Sequence, residues 1–203
     1  MIGAIIGDIA GSKYEWKNNR TKIFEFLDRG SHFTDDTVMT LAVLDALMQI
    51  RKNTTEGLSK KVVEKMQEYG NKYPNTGYGG MFRKWLKEEN PQPYGSWGNG
   101  AAMRISPVIY FAEDKKHLYE LVDIITNTTH NSPEGIKGAR AIAWASYLAR
   151  HGVTKETIRK EIQTEFYDLN FTIDGIRSTY QFDASCQGSV PQAIVAFLES
   201  ESF

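Results

Sequence analysis

With 203 residues, 41% of them hydrophobic and 24% charged, the chain suits one globular domain with a sizeable core. A formal net charge of −1 excludes a global basic field, so neither nucleic acid nor an anionic membrane is an expected partner. The lone cysteine, Cys186, excludes an intramolecular disulfide and suits a reducing, cytoplasmic setting.

The N-terminal run MIGAIIGDIAGSKYEW is apolar, but Asp8 interrupts it and it is too short for a membrane span. Ile2, Ile5, Ile6 and Ile9 share one helical face, which predicts a buried helix. Gly3, Gly7 and Gly11 recur at four-residue spacing. Each helix-interior glycine costs about 1 kcal/mol relative to alanine, so the stripe predicts close approach of another helix or of a ligand. Glu15 follows directly. It reads either as an exposed glutamate or as a carboxylate reaching a site at the helix end.

HFTDDTVMT opens the next helix, expected from about Asp35 to Ile50 with Val38, Leu41, Leu44 and Leu47 inside. Thr34 is a good N-cap, and Asp35 and Asp36 suit the positive end of the helix dipole. The same three side chains form a hard oxygen donor set, which favours Mg²⁺, Mn²⁺ or Ca²⁺ over zinc. Cap and metal ligand both stay open at this point. Four scattered histidines and one cysteine offer no zinc spacing.

Leu58, Val62, Val63 and Met66 mark a third helix, and Met81, Phe82, Trp85 and Leu86 a short fourth. NPQPYGSWGNGAAMRISP reads as a long loop. Its Gly98-Asn99-Gly100-Ala101-Ala102-Met103 stretch could let backbone N–H groups approach a phosphate, or could be a plain turn. It is neither a Walker A loop nor a Rossmann fingerprint. Leu118, Leu121, Val122 and Ile125 mark another helix. His130 stands just before Ser132-Pro133-Glu134, a cap, a first-turn proline and an acid, and Gly152 offers a stop. His130 either packs at the cap or faces a ligand. Ile158, Ile162 and Phe166 define the next amphipathic segment. FTIDGIRSTYQF reads as a loop or minor extended piece, and the last helix is expected to start at the capping-box spacing of Ser189-Val190-Pro191-Gln192. The pattern is that of a single all-α domain.

GAIIGDIAGSKYE, FTDDTVMT, YPNTGYGGMFRKWL, NPQPYGSWGNGAAMRISPV, THNSPEGIKGARA and FDASCQGSVPQAIVAFLES, in that order, resemble the ADP-ribosylglycohydrolase family of the dinitrogenase-reductase-activating type. The resemblance runs over residues 1–203. It implies a compact, single-domain, all-α, multi-helix orthogonal bundle and a hydrolase with a pair of Mg²⁺ ions in a central cleft, cleaving an ADP-ribosyl linkage at the anomeric carbon. It assigns Thr34, Asp35 and Asp36 to the metal, Glu15 and Asp36 to catalysis, and Gly98, Asn99, Gly100, Ala102, Met103 and His130 to ADP-ribose. The conjugate could be a protein side chain or a small molecule.

One departure stands out. The family's second metal half, Gly-Gly-Asp-Ser/Thr-Asp-Thr, does not occur, and the domain is therefore expected to be incomplete at its C-terminus. One ion or none is expected in this chain alone. Three readings follow: an active glycohydrolase, an impaired ADP-ribose-binding protein, or a remnant whose metal site a partner chain completes. An apolar groove beside the first helix is expected to invite a homo-oligomer or a partner over the C-terminal face.

Overall fold

The computed structural model describes residues 1–17, 19–50 and 55–202. Among them no β-strand forms. The only extended pairing is an isolated bridge between Gly98 and Ser185. The helices are α1 (Ile2–Gly11), α2 (Asp35–Gln49), α3 (Leu58–Lys72), α4 (Gly80–Trp85), α5 (Gly100–Met103), α6 (Lys115–Thr126), α7 (Pro133–Arg150), α8 (Lys155–Glu165), α9 (Ile173–Ile176) and α10 (Cys186–Glu199), with 3₁₀ turns at Ser12–Tyr14 and Ser106–Tyr110.

Helices α2 and α7 are the two axes of the core. α2 packs chiefly on α3, while α7 takes α6, α8, α10 and the short α5. α2 buries Val38, Met39, Ala42, Val43, Ala46 and Leu47, and α7 buries alanines and Trp144. Leu41 and Leu44 are only half-buried, so the buried stripe of α2 is rotated by about one residue from the expected one. Small residues let α7 lie close to its neighbours. At Gly138 an added Cβ would sit 2.5 Å from Cys186 Sγ, so only glycine allows this crossing of α7 and α10.

Caps set the helix ends. Asp114, Ser132, Thr154 and Thr172 each accept a backbone N–H of the first turn of the helix they precede. α7 stops where Gly152 turns left-handed at φ +73°, with Val153 N–H bonded to Leu148 O and Gly152 N–H to Ala149 O, a Schellman closure.

Four expectations need correction. α1 is not a buried helix: Ala10 alone is buried, Ile5, Ile6 and Ile9 are half-buried and Ile2 is 70% exposed, because α2 is its main helical neighbour among the described residues. The last helix starts at Cys186, a full turn before Ser189. Ser185 is the real cap, accepting Gly188 N–H, and Pro191 lies inside the helix, leaving Gln187 O without its helical donor. Finally, FTIDGIRSTYQF is neither strand nor plain loop. Thr172 caps the one-turn α9 within it. The stretch read as a long loop likewise contains α5 and the second 3₁₀ turn.

Candidate active-site cleft

A cleft of about 710 Å³ opens between the α1–α2 corner and three loops from the other half of the chain. Glu15, Thr34, Asp35, Asp36, Gly98, Asn99, Gly100, Met103 and His130 all line it. Ala102 does not. Its side chain is buried in the core behind the loop, because α5 turns it away from the opening.

The acidic wall is built around a residue that the sequence marked only as an interruption. Asp8 Oδ2 accepts Thr34 N–H (2.8 Å), Thr37 N–H (3.2 Å) and the Thr37 hydroxyl (2.5 Å). Its Oδ1 accepts the Thr34 hydroxyl at 2.5 Å. A carboxylate from α1 thus caps α2 from outside, while Thr34 Oγ1 accepts Asp36 N–H at 3.3 Å. Asp35 N–H is taken by Thr76 O at 2.8 Å. Thr76 leads into Gly77 at φ +110°, where a Cβ would stand 3.0 Å from Asp35 Oδ1.

This wall gathers carboxylates, and among the described residues no cationic side chain bonds them. Burial, then repulsion from Asp35, Asp8 and Glu15, pushes Asp36 up to about 7. Burial, then Glu15 and Asp8, pushes Asp35 up to about 6. Glu15 is raised by burial and by Asp8. Such carboxylates hold their protons unless a cation offsets them. Among the described residues no three Asp, Glu, His or Cys side chains converge to encircle an ion. The donors fit a hard divalent cation held from one side: Thr34, whose hydroxyl hydrogen is spent on Asp8, with Asp35 and Asp36, the rest of the shell being water.

The opposite wall is glycine-rich and tied down by backbone, with Arg104 and Asp183 as its charged lining residues. Asn99 N–H bonds Ala184 O (2.7 Å), Cys186 N–H bonds Trp97 O (2.9 Å), and Cys186 Sγ donates to Gly98 O at 3.2 Å. Asn99 Nδ2 donates to Ser189 Oγ (3.2 Å). On the other side Tyr94 N–H reaches Thr129 O (3.1 Å), Gly95 N–H reaches Asn131 Oδ1 (2.8 Å), and the Ser132 hydroxyl donates to Ser96 O (2.7 Å). The Gly98–Gly100 turn is therefore held directly by residues 184–189 at the start of α10, and the segment leading into it, residues 94–96, by residues 129–132 just before α7.

Residues 94–104 and 180–189 contribute cleft groups that the sequence did not single out. Tyr94 and Phe82 line the interior. Trp16 and Phe182 meet at the mouth with ring centroids 5.1 Å apart. Arg104 lies beneath, 1% exposed. Phe182 and Arg104 sit inside quoted motifs, FDASCQGS and GNGAAMR, so the signal was present. For Asp8 it was the odd charge in an apolar helix.

A family model for ADP-ribosylglycohydrolase matches residues 1–202, and the chain belongs to that family. It is similar to ADP-ribosylhydrolase ARH3 of Gallus gallus, 26% identical over 204 residues, which is 83% of this chain and 54% of the relative. It is also similar to ARH3 of Xenopus tropicalis, 28% identical over 198 residues (81% and 55%). For ARH3 of Homo sapiens the identity is 26% over 200 residues (83% and 54%). The chain spans about half the length of the curated relatives it matches. A solved structure titled ADP-ribosylglycohydrolase-related protein complex shares the fold, with a TM-score of 0.73 at 19% identity over 99% of this chain and 74% of that one. No helix among the described residues is long and apolar enough to cross a membrane.

Proposed function

We propose that the chain hydrolyses an ADP-ribosyl linkage at the anomeric carbon, with Mg²⁺ as cofactor. The observation that supports this best is the meeting of nine residues from four remote segments around one cleft, acidic on one side and glycine-lined on the other, in a member of this family. ADP-ribose asks for that pairing. Its diphosphate suits the side-chain-free face of the Gly98–Gly100 turn, where the Gly98 and Asn99 N–H groups are already bonded to Ser96 Oγ and Ala184 O and Gly100 is left to face a ligand, and its ribose suits the carboxylate wall.

A divalent cation, when bound, orients ribose hydroxyls and offsets negative charge. Thr34, Asp35 and Asp36 would hold it. The chain's own chemistry is proton handling and electrostatics. Glu15 or Asp36 takes the proton of the attacking water as its oxygen bonds to the anomeric carbon and the glycosidic bond breaks. Asp8, bonded four times, keeps the Thr34 and Asp36 corner in place. His130, Asn99 and Met103 would shape the ligand end.

A second reading is ADP-ribose binding without turnover. That no three carboxylate, imidazole or thiol groups converge among the described residues favours it, because an ion held from one wall binds weakly. The test separates the two. Incubation with ADP-ribosyl-arginine, an ADP-ribosyl-serine peptide or O-acetyl-ADP-ribose plus Mg²⁺ should release ADP-ribose, and chelator or Asp35→Ala should stop it. ADP-ribose binding that ignores chelator, with no release, supports the binding-only reading. Neither release nor binding would sink both.

A further inference from the structure

His130 is the most buried ring in the cleft, and its two nitrogens face different worlds. Nδ1 points inward. It lies 2.7 Å from Thr129 Oγ1 and 3.4 Å from Arg104 Nη2, while the same Nη2 donates to Thr129 Oγ1 at 2.5 Å. Nε2 points outward, to the turn: a Cβ built on Gly100 would sit 3.0 Å from it, and one on Gly98 3.6 Å. Among the described residues no protein group bonds Nε2, and His130 lines the cleft.

The inner geometry decides where the ring proton sits. A guanidinium has donors only, so Arg104 can offer a hydrogen but take none. The Thr129 hydroxyl accepts that hydrogen, and its own must go to an acceptor. The acceptor within reach is Nδ1. An Nδ1–H would instead point at a donor on Arg104 and leave the Thr129 hydrogen without that partner. Thr129 is fully buried and His130 is 5% exposed, so water cannot easily rescue the wrong arrangement.

We infer that Arg104 and Thr129 form a relay that locks His130 as the neutral Nε2–H tautomer, aiming a fixed hydrogen-bond donor at the ligand beside the Gly98–Gly100 turn. This rests on the proposed function only for the identity of the ligand. Arg104 and Thr129 are then positioning residues, acting through His130. Burial and the adjacent Arg104 charge push the imidazole down to about 2, which agrees with a ring that stays neutral. Besides Arg104, the side chain packed on the ring is Tyr94, at 5.8 Å between centroids. The donor thus has no competing acid–base role, and a donor that never becomes a cation avoids drawing in the carboxylate wall across the cleft.

The test is long-range ¹H–¹⁵N correlation on the histidine-labelled full chain, with His130 assigned by its loss in His130→Gln. The expected spectrum shows a pyridine-type Nδ1 and a pyrrole-type Nε2, unchanged between about pH 5 and 8. Thr129→Val should mix the tautomers and weaken ADP-ribose binding about tenfold, and Thr129→Ser should restore both. A pyrrole-type Nδ1, a His130 titration in that range, or unchanged affinity in Thr129→Val overturns the inference. If the wild-type chain does not bind ADP-ribose, the functional reading fails, and the tautomer spectrum still decides the relay by itself.

Discussion

The two walls of the cleft differ in what holds them. The acidic wall, Asp8, Glu15, Asp35 and Asp36, is bonded internally through threonines, and among the described residues no cationic side chain bonds it. The glycine wall is cross-linked by bonds from residues 94–99 to residues 129–132 and 184–189. The first is a wall waiting for positive charge; the second is already in its working shape. A ligand site assembled this way separates affinity, set by the rigid wall, from reactivity, set by the charged one.

The sharpest way to break that division is Asp35→Ala. Turnover, read as ADP-ribose release, should fall by about a thousandfold or more, while ADP-ribose affinity changes far less. Comparable losses in both would mean the walls do not divide the work. Asp8→Asn should follow in size. It leaves one oxygen and puts an NH2 in place of the other, so at least one of the four donors faces a donor instead of an acceptor, which should cost about 2–3 kcal/mol by denaturant unfolding. Gly138→Ala acts on the scaffold behind the glycine wall. The Cβ would collide with Cys186, costing about 1–3 kcal/mol.

Acidity gives a gentler probe. Asp35 and Asp36 have folded-state values raised to about 6 and about 7 from 3.8, so the folded chain binds their protons more tightly than the unfolded one. Their contribution is therefore favourable at low pH and is lost as pH rises from about 4 through about 7. Without divalent cations the melting temperature should fall by a few degrees between about pH 5.5 and 7.5, and saturating Mg²⁺ should flatten that slope. Asp28, Asp45 and Asp174 are lowered by their partners and pull the other way only below about pH 4. A slope unaffected by Mg²⁺ would show that the ion does not sit on these carboxylates.

Much of this was legible in the chain because it is local. A threonine before two aspartates caps a helix whatever else happens, and Ser132-Pro133-Glu134 starts α7 as its chemistry requires. What stayed hidden is long-range. Asp8 acts on residues 26 and 29 positions away, and no periodicity announces that. Ser185 and Ser189 both carry cap chemistry. The choice falls to Ser185 because starting there buries Cys186 against Gly98 and Gly138. The apolar face of α1 predicted a buried helix, and that expectation failed: Ile5, Ile6 and Ile9 reach only half-burial and Ile2 is exposed, because burial needs a neighbour and not only a greasy stripe.

The placement of Cys186 makes the chain its own reporter. It is the only thiol, fully buried, with its reactive form disfavoured by burial, which pushes it up to about 12. A thiol reagent can therefore modify it only in molecules where α10 has lifted away from the Gly98 carbonyl. The labelling rate counts those excursions, and its slowing by ADP-ribose would time the breathing of the cleft without any added probe.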